Sequence, residues 1–190
     1  YEHEIKEAKN KVKIKPVGLT LTADRFGNKE SAIYIHGNSN SYLNLGTSEL
    51  VKPKVGTISM WVNVEDPVLS GKGFHSNVFF MVRNKQIDDF CLGLYLGFDF
   101  ENGRISAGTS RDSVQEAMVY SKEKIRYYQW YHLVISVSYD YLTFYINGEI
   151  QGRMKKGFET VISATDSVLV GSTPVGKNER YTRGVFDDIR

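Results

Sequence analysis

Residues 130–152, WYHLVISVSYDYLTFYINGEIQG, constrain the fold more than any other part of the chain. Tyr131, Leu133, Ile135 and Val137 alternate with His132, Val134, Ser136 and Ser138. A period of two is the pleat of a strand, with one set of side chains facing a core and the other facing away. The YDY segment then turns the chain, and Leu142, Phe144 and Ile146 alternate with Thr143 and Tyr145. Asn147-Gly148 follows. A type I′ turn needs positive φ at both central positions, so this pair predicts a tight hairpin that returns through EIQGR. Three such strands form an antiparallel meander, with one face for the core and the other for solvent or a second layer.

The same pattern recurs from Val17 onward. GLTLTAD, SAIYIHG, YLNLG and GTISMWVNV read as short strands separated by DRFGN, GNSNS and similar turns. In GTISMWVNV, Ile58, Met60 and Val62 share one face, and Ser59, Trp61 and Asn63 the other. VFFMVRN, DFCLGLYLGFDF, ISAGTS, DSVLVGST and RGVFDDIR continue the series, and Asn102-Gly103 predicts another two-residue hairpin. SVQEAMVYSKEKIRYYQ has room for a helical turn, but AMVYS reads as a strand in this company. Short strands with turn signals every ten residues or so predict an all-β sandwich or barrel. A chain of 190 residues suits one domain of that kind. A domain of this size buries roughly 70% of its unfolded surface, enough for a core without covalent staples. Twelve Tyr and ten Phe supply side chains suited to pleated, half-buried surfaces.

A net charge of +2 gives no argument for nucleic acid or an anionic membrane surface. No apolar run is long enough to span a bilayer, so direct membrane insertion is not expected. Cys91 is the single cysteine, which excludes an internal disulfide, and its apolar neighbours read as core. The chain opens YEHEIKEAKNKVKIK, with neither a start Met nor a signal peptide, as a piece of a longer protein would. Residues 1–16 are expected to be a lead-in or linker, or a first edge strand through KVKIK, and residues 17–190 the domain.

Taken in order, WYHLVISVSYDYLTFYINGEIQG, VLVGS and GVFDDIR resemble the C-terminal half of a laminin G-like domain of the concanavalin A-like lectin/glucanase superfamily. LTADRFGNKESAIYIHGNSNSYLNLG resembles the family's opening, and TISMWVNV its next core strand. The resemblance implies a two-sheet antiparallel jelly-roll sandwich. It also implies a candidate Ca2+ site where an early loop meets a late one. The matching positions are Asp24 and Asn28 in ADRFGN, with Asp187 and Asp188 in FDDIR. Calcium wants six to eight oxygen ligands, so carboxylates and amides are the right types. The alternative is a turn Asp capping its own backbone and a late Asp in a surface ion pair.

Some members of this fold cleave glycosides with two carboxylates on one strand face. Asp99 and Glu101 come nearest, but they flank a turn signal and read as solvated turn residues. Asp88-Asp89 and Asp187-Asp188 are neighbours that face opposite ways within a strand. The four His form no metal-ligand spacing. Trp61, opposite Ile58, Met60 and Val62, is a candidate sugar-stacking residue, with inter-sheet packing as its alternative. The expectation is a non-catalytic recognition domain of a larger extracellular or periplasmic protein. It would bind a carbohydrate or protein ligand through loops at one end or across the concave sheet, beside other domains of the parent chain. Loops 66–77, 109–116 and 172–183 are the first candidates. A glycoside hydrolase of the same fold, and a structural or sensory spacer with no ligand of its own, remain open.

Overall fold

A computed structural model of the chain describes residues 15–47, 55–65, 76–83, 93–99, 102–110, 116–159, 167–173 and 180–190. These residues contain strands and turns, and no helix among them is long and apolar enough to cross a membrane. In chain order the strands are β1 (Lys15–Val17), β2 (Thr20–Thr22), β3 (Ala32–His36), β4 (Tyr42–Gly46) and β5 (Gly56–Val64). Next come β6 (Ser76–Arg83), β7 (Gly93–Asp99), β8 (Arg104–Ser110), β9 (Glu116–Tyr120), β10 (Trp130–Val137) and β11 (Tyr141–Ile146). The series ends with β12 (Glu149–Lys155), β13 (Ser167–Val170), β14 (Ser172–Thr173), β15 (Arg180–Tyr181) and β16 (Arg183–Asp187).

Two seven-stranded antiparallel sheets carry the fold. The first runs β1-β4-β13-β6-β7-β8-β9 and the second β12-β11-β10-β5-β16-β3-β2, with β14 and β15 as a small separate pair. The expected meander forms the β10, β11, β12 side of the second sheet. Asn147 and Gly148 take φ of 51° and 82°, as the turn requires.

The second hairpin differs from expectation. Asp99 pairs with Arg104, so the loop holds four residues and not two. Asn102 is not among the residues with positive φ, whereas Gly103 is, at 70°. The Asn side chain does the work instead: it donates to Asp99 Oδ2 at 2.7 Å and accepts from the Arg104 amide at 2.9 Å.

Alternation decides the core. Ile58, Met60 and Val62 of β5, Leu133 and Ile135 of β10, and Phe144 of β11 face inward from the second sheet. Phe79, Leu96 and Val170 meet them from the first. Phe79 and Phe186 touch edge to face, ring centroids 6.0 Å apart, across the gap between sheets. β1 pairs with β4, Val17 opposite Tyr42, so Lys15 and Pro16 lie in the first sheet, while the rest of KVKIK, the candidate edge strand, lies outside the described residues. Residues 1–14, Cys91 and the Asp88-Asp89 pair lie outside the described residues.

Candidate functional site

The registers of the second sheet set side chains in rows on its outer face. One row runs Thr20, Tyr34, Val185, Asn63 and Trp130 across five strands. Beyond it, toward the end where β5 leaves the sheet, His36 pairs with Arg183. The Glu65 amide donates to the Arg183 carbonyl at 3.0 Å, and the Tyr128 amide to the Val64 carbonyl at 2.8 Å. Residues far apart in the chain therefore converge at one end of this face.

Their polar atoms form a network. Tyr34 Oη donates to Glu65 Oε2 at 2.8 Å and accepts from Arg183 Nε at 3.0 Å. The same Arg183 Nε lies 2.9 Å from Glu65 Oε2. His36 stands edge-on to Tyr34 with centroids 4.8 Å apart, and its Nε2 is 3.2 Å from Thr20 Oγ1. Burial, with the Glu65 carboxylate also acting, raises the Tyr34 phenol above its ordinary 10.0, against the opposing bond from Arg183. The Tyr34 hydrogen bond in turn raises the Arg183 guanidinium above its usual range. Arg183 remains about half exposed, at 48%, and Tyr128 beside it is 62% exposed.

A phenol held protonated by the fold has a consequence at alkaline pH. Above 10.0 the unfolded chain ionises this tyrosine before the native state does. The native state then binds more protons, so stability falls as pH rises through that window. Tyr34→Phe is expected to flatten this part of the alkaline stability curve, read from urea unfolding across the pH range. An unchanged slope would refute the assignment.

The next row on the same face is Asp187, Trp61 and His132. Trp61 and His132 stack at 5.0 Å with planes 20° apart. The Arg25 guanidinium carbon lies 4.8 Å from the Trp61 centroid and 4.4 Å from that of Phe26. β10 and β16 flank β5 on opposite sides, so His132 and the Asp187-bound Arg25 approach the indole from opposite sides. Trp61, the candidate sugar-stacking residue, therefore lies in the middle of a stack with His132 and Arg25. Phe26, which the sequence reading passed over, is the exposed end of the stack, at 73%.

Arg25 also decides the fate of the proposed calcium ligands. Its Nη1 donates to Asp187 Oδ2, and its Nη2 to Asp188 Oδ2 at 3.4 Å. Asp188 Oδ1 accepts from Arg190 Nε at 2.9 Å. Asp188 has φ of 51°, which ends the strand and swings its carboxylate to the guanidinium that Asp187 engages. The expectation that these neighbours face apart holds only within a strand. Asp24 caps its own turn: Oδ1 accepts the amides of Phe26 and Asn28, and Oδ2 accepts the Asn28 side chain at 2.8 Å. That side-chain bond leads in holding the Asp24 carboxyl below its ordinary value.

Asp24, Asn28, Asp187 and Asp188 therefore do not fit a calcium site as they stand, since the Asp24 carboxylate serves a turn, the Asn28 amide donates to it, and Asp187 and Asp188 face the Arg25 and Arg190 guanidinium groups. Among the described residues no three His, Cys, Asp or Glu side chains gather in a metal-binding group. Removing the guanidinium would leave Asp187, whose side chain is 10% exposed, without its partner. Arg25→Ala is expected to cost about 2 kcal/mol, as for a lost charge-assisted bond at a mostly buried group. Arg25→Lys should restore little of it, because a single ammonium cannot span both carboxylates and stack on two rings. Chemical denaturation of the two variants checks both expectations.

Asp99 lies at the β7 to β8 hairpin, and Glu101 lies outside the described residues. Most of the three loops singled out from the sequence also falls outside them. Sequence reasoning missed Tyr34, Glu65, Tyr128 and Arg183 as a set. Alternation in SAIYIHG could place Tyr34 outward, but only the pairing of β16 with both β3 and β5 brings Arg183 to it.

Comparison with known proteins places this geometry. Domain 4 of an extracellular arabinanase from Geobacillus stearothermophilus, solved with arabinotriose, superposes with a TM-score of 0.66 at 19% identity. The match covers 94% of this chain and 80% of that one. The ligand binding domain of botulinum neurotoxin serotype D, solved with N-acetylneuraminic acid, gives 0.68 at 10% identity, over 94% of this chain and 42% of that one. A SAP-like pentraxin from Limulus polyphemus gives 0.52 at 17% identity, over 70% and 61%. No curated protein matches the chain by sequence. A laminin G-type family profile does match residues 36–190, and with both sheets as that fold requires, the chain belongs to the concanavalin A-like lectin/glucanases superfamily.

Proposed function

We propose that this chain is a non-catalytic carbohydrate-recognition domain of a larger extracytoplasmic protein. The observation that carries the reading is the network of Glu65, Tyr34 and Arg183 beside Trp130 and the exposed Tyr128 at one end of a sheet face. A sugar offers hydroxyl groups that both donate and accept, and flat apolar faces. A carboxylate, a guanidinium and a phenol locked together meet the first need without reorganising, and aromatic rings meet the second. Support of a coarser kind comes from two proteins of the same fold solved with arabinotriose and with N-acetylneuraminic acid. Glycoside hydrolysis uses two carboxyl groups across the scissile bond. Glu65 is instead engaged by a cation and a phenol, which favours binding over cleavage.

The test is a glycan array with the chain, run with calcium and with a chelator. Binding is expected in both arms, because Arg25 holds the carboxylates that an ion would otherwise bridge. Glu65→Gln is expected to weaken binding about tenfold, the loss of one charge-assisted bond. Released reducing ends would overturn the non-catalytic reading. An empty array in both arms would favour a spacer module or a protein ligand.

A further inference from the structure

The turn between β2 and β3 folds back over the outer face of the second sheet, because Arg25 reaches Asp187, Asp188 and Trp61 there. Hydrogen bonds within the turn hold its tip. The Asp24 amide donates to the Asn28 carbonyl at 3.0 Å, and the Gly27 amide to the Asp24 carbonyl at 3.1 Å. Asp24 Oδ1 accepts the Phe26 amide at 2.8 Å and the Asn28 amide at 2.9 Å. The Phe26 ring is held as well. The Arg25 guanidinium carbon lies 4.4 Å from its centroid, and the two carboxylates anchor that guanidinium.

Phe26 is nevertheless 73% exposed. A single exposed apolar residue is ordinary on a protein surface. Phe26 is distinguished by having both its backbone and its ring fixed while most of the residue faces solvent. A partner that meets such a ring loses little conformational entropy in ordering it.

Its place on the face says what that partner is. Trp61, Asn63 and Glu65 project outward at every second position of β5 and just beyond its end. At the rise of a strand, the Trp61 row lies about 13 Å from Glu65. On the neighbouring strands the same line reads Asp187 beneath Arg25, then Val185 beside Tyr34, then Arg183 beside His36. Phe26 stands at one end of this line, and the network of Tyr34, Glu65 and Arg183 at the other. The line is longer than one sugar ring, with an aromatic contact at one end and hydrogen-bonding groups at the other. We infer that the carbohydrate site runs along it, that its ligand is a linear chain of sugar units gripped at more than its terminal unit, and that Phe26 is the stacking contact for a unit remote from Glu65. This rests on the function proposed above and adds to it the form of the ligand and a second point of contact.

Chain length separates the two ends of the site. Phe26→Ala removes the ring and keeps the amide that Asp24 accepts, and Phe26→Tyr keeps a ring. Probes are arabino-, xylo-, malto- and cello-oligosaccharides of two to five units, measured by calorimetry beside thermal unfolding. In the parent chain, affinity is expected to rise at least about tenfold from the shortest to the longest probe of the series it binds. Phe26→Ala is expected to lower that long-to-short ratio at least about fivefold, and Phe26→Tyr to retain it. Glu65→Gln should weaken every length and keep the ratio. Phe26→Ala should lower Tm by only about 1–4 °C, as for one exposed cation–π contact. A ratio unchanged in Phe26→Ala, or affinity in the parent chain that does not depend on length, would overturn this inference and leave carbohydrate recognition standing. Binding of no probe by the parent chain would overturn both.

Discussion

Gly184→Ala is expected to destabilise the protein by about 3 kcal/mol, from backbone strain and overpacking together. Gly184 lies within β16, paired with Ile35 of β3 on one side and Val64 of β5 on the other. Its φ is 153°, a conformation that side chains rarely adopt. A Cβ there would sit 2.3 Å from the Asn63 carbonyl oxygen and 3.2 Å from the Val64 Cα. Both are backbone atoms of the neighbouring strand, so no rotamer change can clear them. Relief requires β16 to move from β5, which also disturbs the pairing that delivers Arg183 to Glu65. For a chain of this length the loss should lower Tm by about 6–12 °C. Gly148→Ala is the control. It also has positive φ, at 82°, but nothing lies within 4 Å of its added methyl. It should cost about 1 kcal/mol, the conformational penalty alone. Equal losses in the two variants would show that the close approach at Gly184 has no energetic weight.

Phe186→Ala, two residues along, should cost about 3–5 kcal/mol, the range for deleting a buried aromatic ring. Phe186 is 1% exposed and reaches across the sandwich to Phe79. The edge-to-face contact between them is worth about 0.5–1.5 kcal/mol beyond burial. The side chain therefore helps hold the two sheets together, in a core it shares with Phe79, Phe98 and Phe144. Phe186→Leu keeps most of the volume and should lose about 1–1.5 kcal/mol. Denaturant midpoints for the pair separate cavity formation from the loss of ring geometry. A small loss in both would mean that the core collapses around the vacancy, and that the inter-sheet contact contributes little.

Both residues come from RGVFDDIR, which the sequence marked as a closing strand. The alternation was legible there, as it was in the meander of residues 130–152, because which side a strand residue faces depends only on its own pleat. Inward Leu133, Ile135, Leu142 and Phe144 are buried as their spacing implied. The Asn147-Gly148 turn was equally local. The Asn102-Gly103 hairpin was misjudged for a reason just as local: side-chain bonds from Asn102 to Asp99 and Arg104 compete with the tight turn.

The candidate site was much less legible. Trp61 was placed on the correct face, but its stacking partners come from residue 25 and residue 132. Asp187 and Asp188 were recognised as a pair of interest, but not as the partners of Arg25, 162 and 163 positions away. The carboxylates and the guanidinium were in plain view; their meeting was not.

By itself, the local pattern determined the antiparallel all-β class and the inward face of its clearest strands, since period and turn chemistry are properties of neighbouring residues; the two-sheet form was implied only by the resemblance to a laminin G-like domain. Tertiary structure alone decided which strands distant in sequence lie side by side. By inserting β16 between β3 and β5 it created the cluster of Tyr34, Glu65 and Arg183 and gave Arg25 the position between two carboxylates. Strand order is set by burying the whole apolar surface at once, a sum over the entire chain that no short stretch contains.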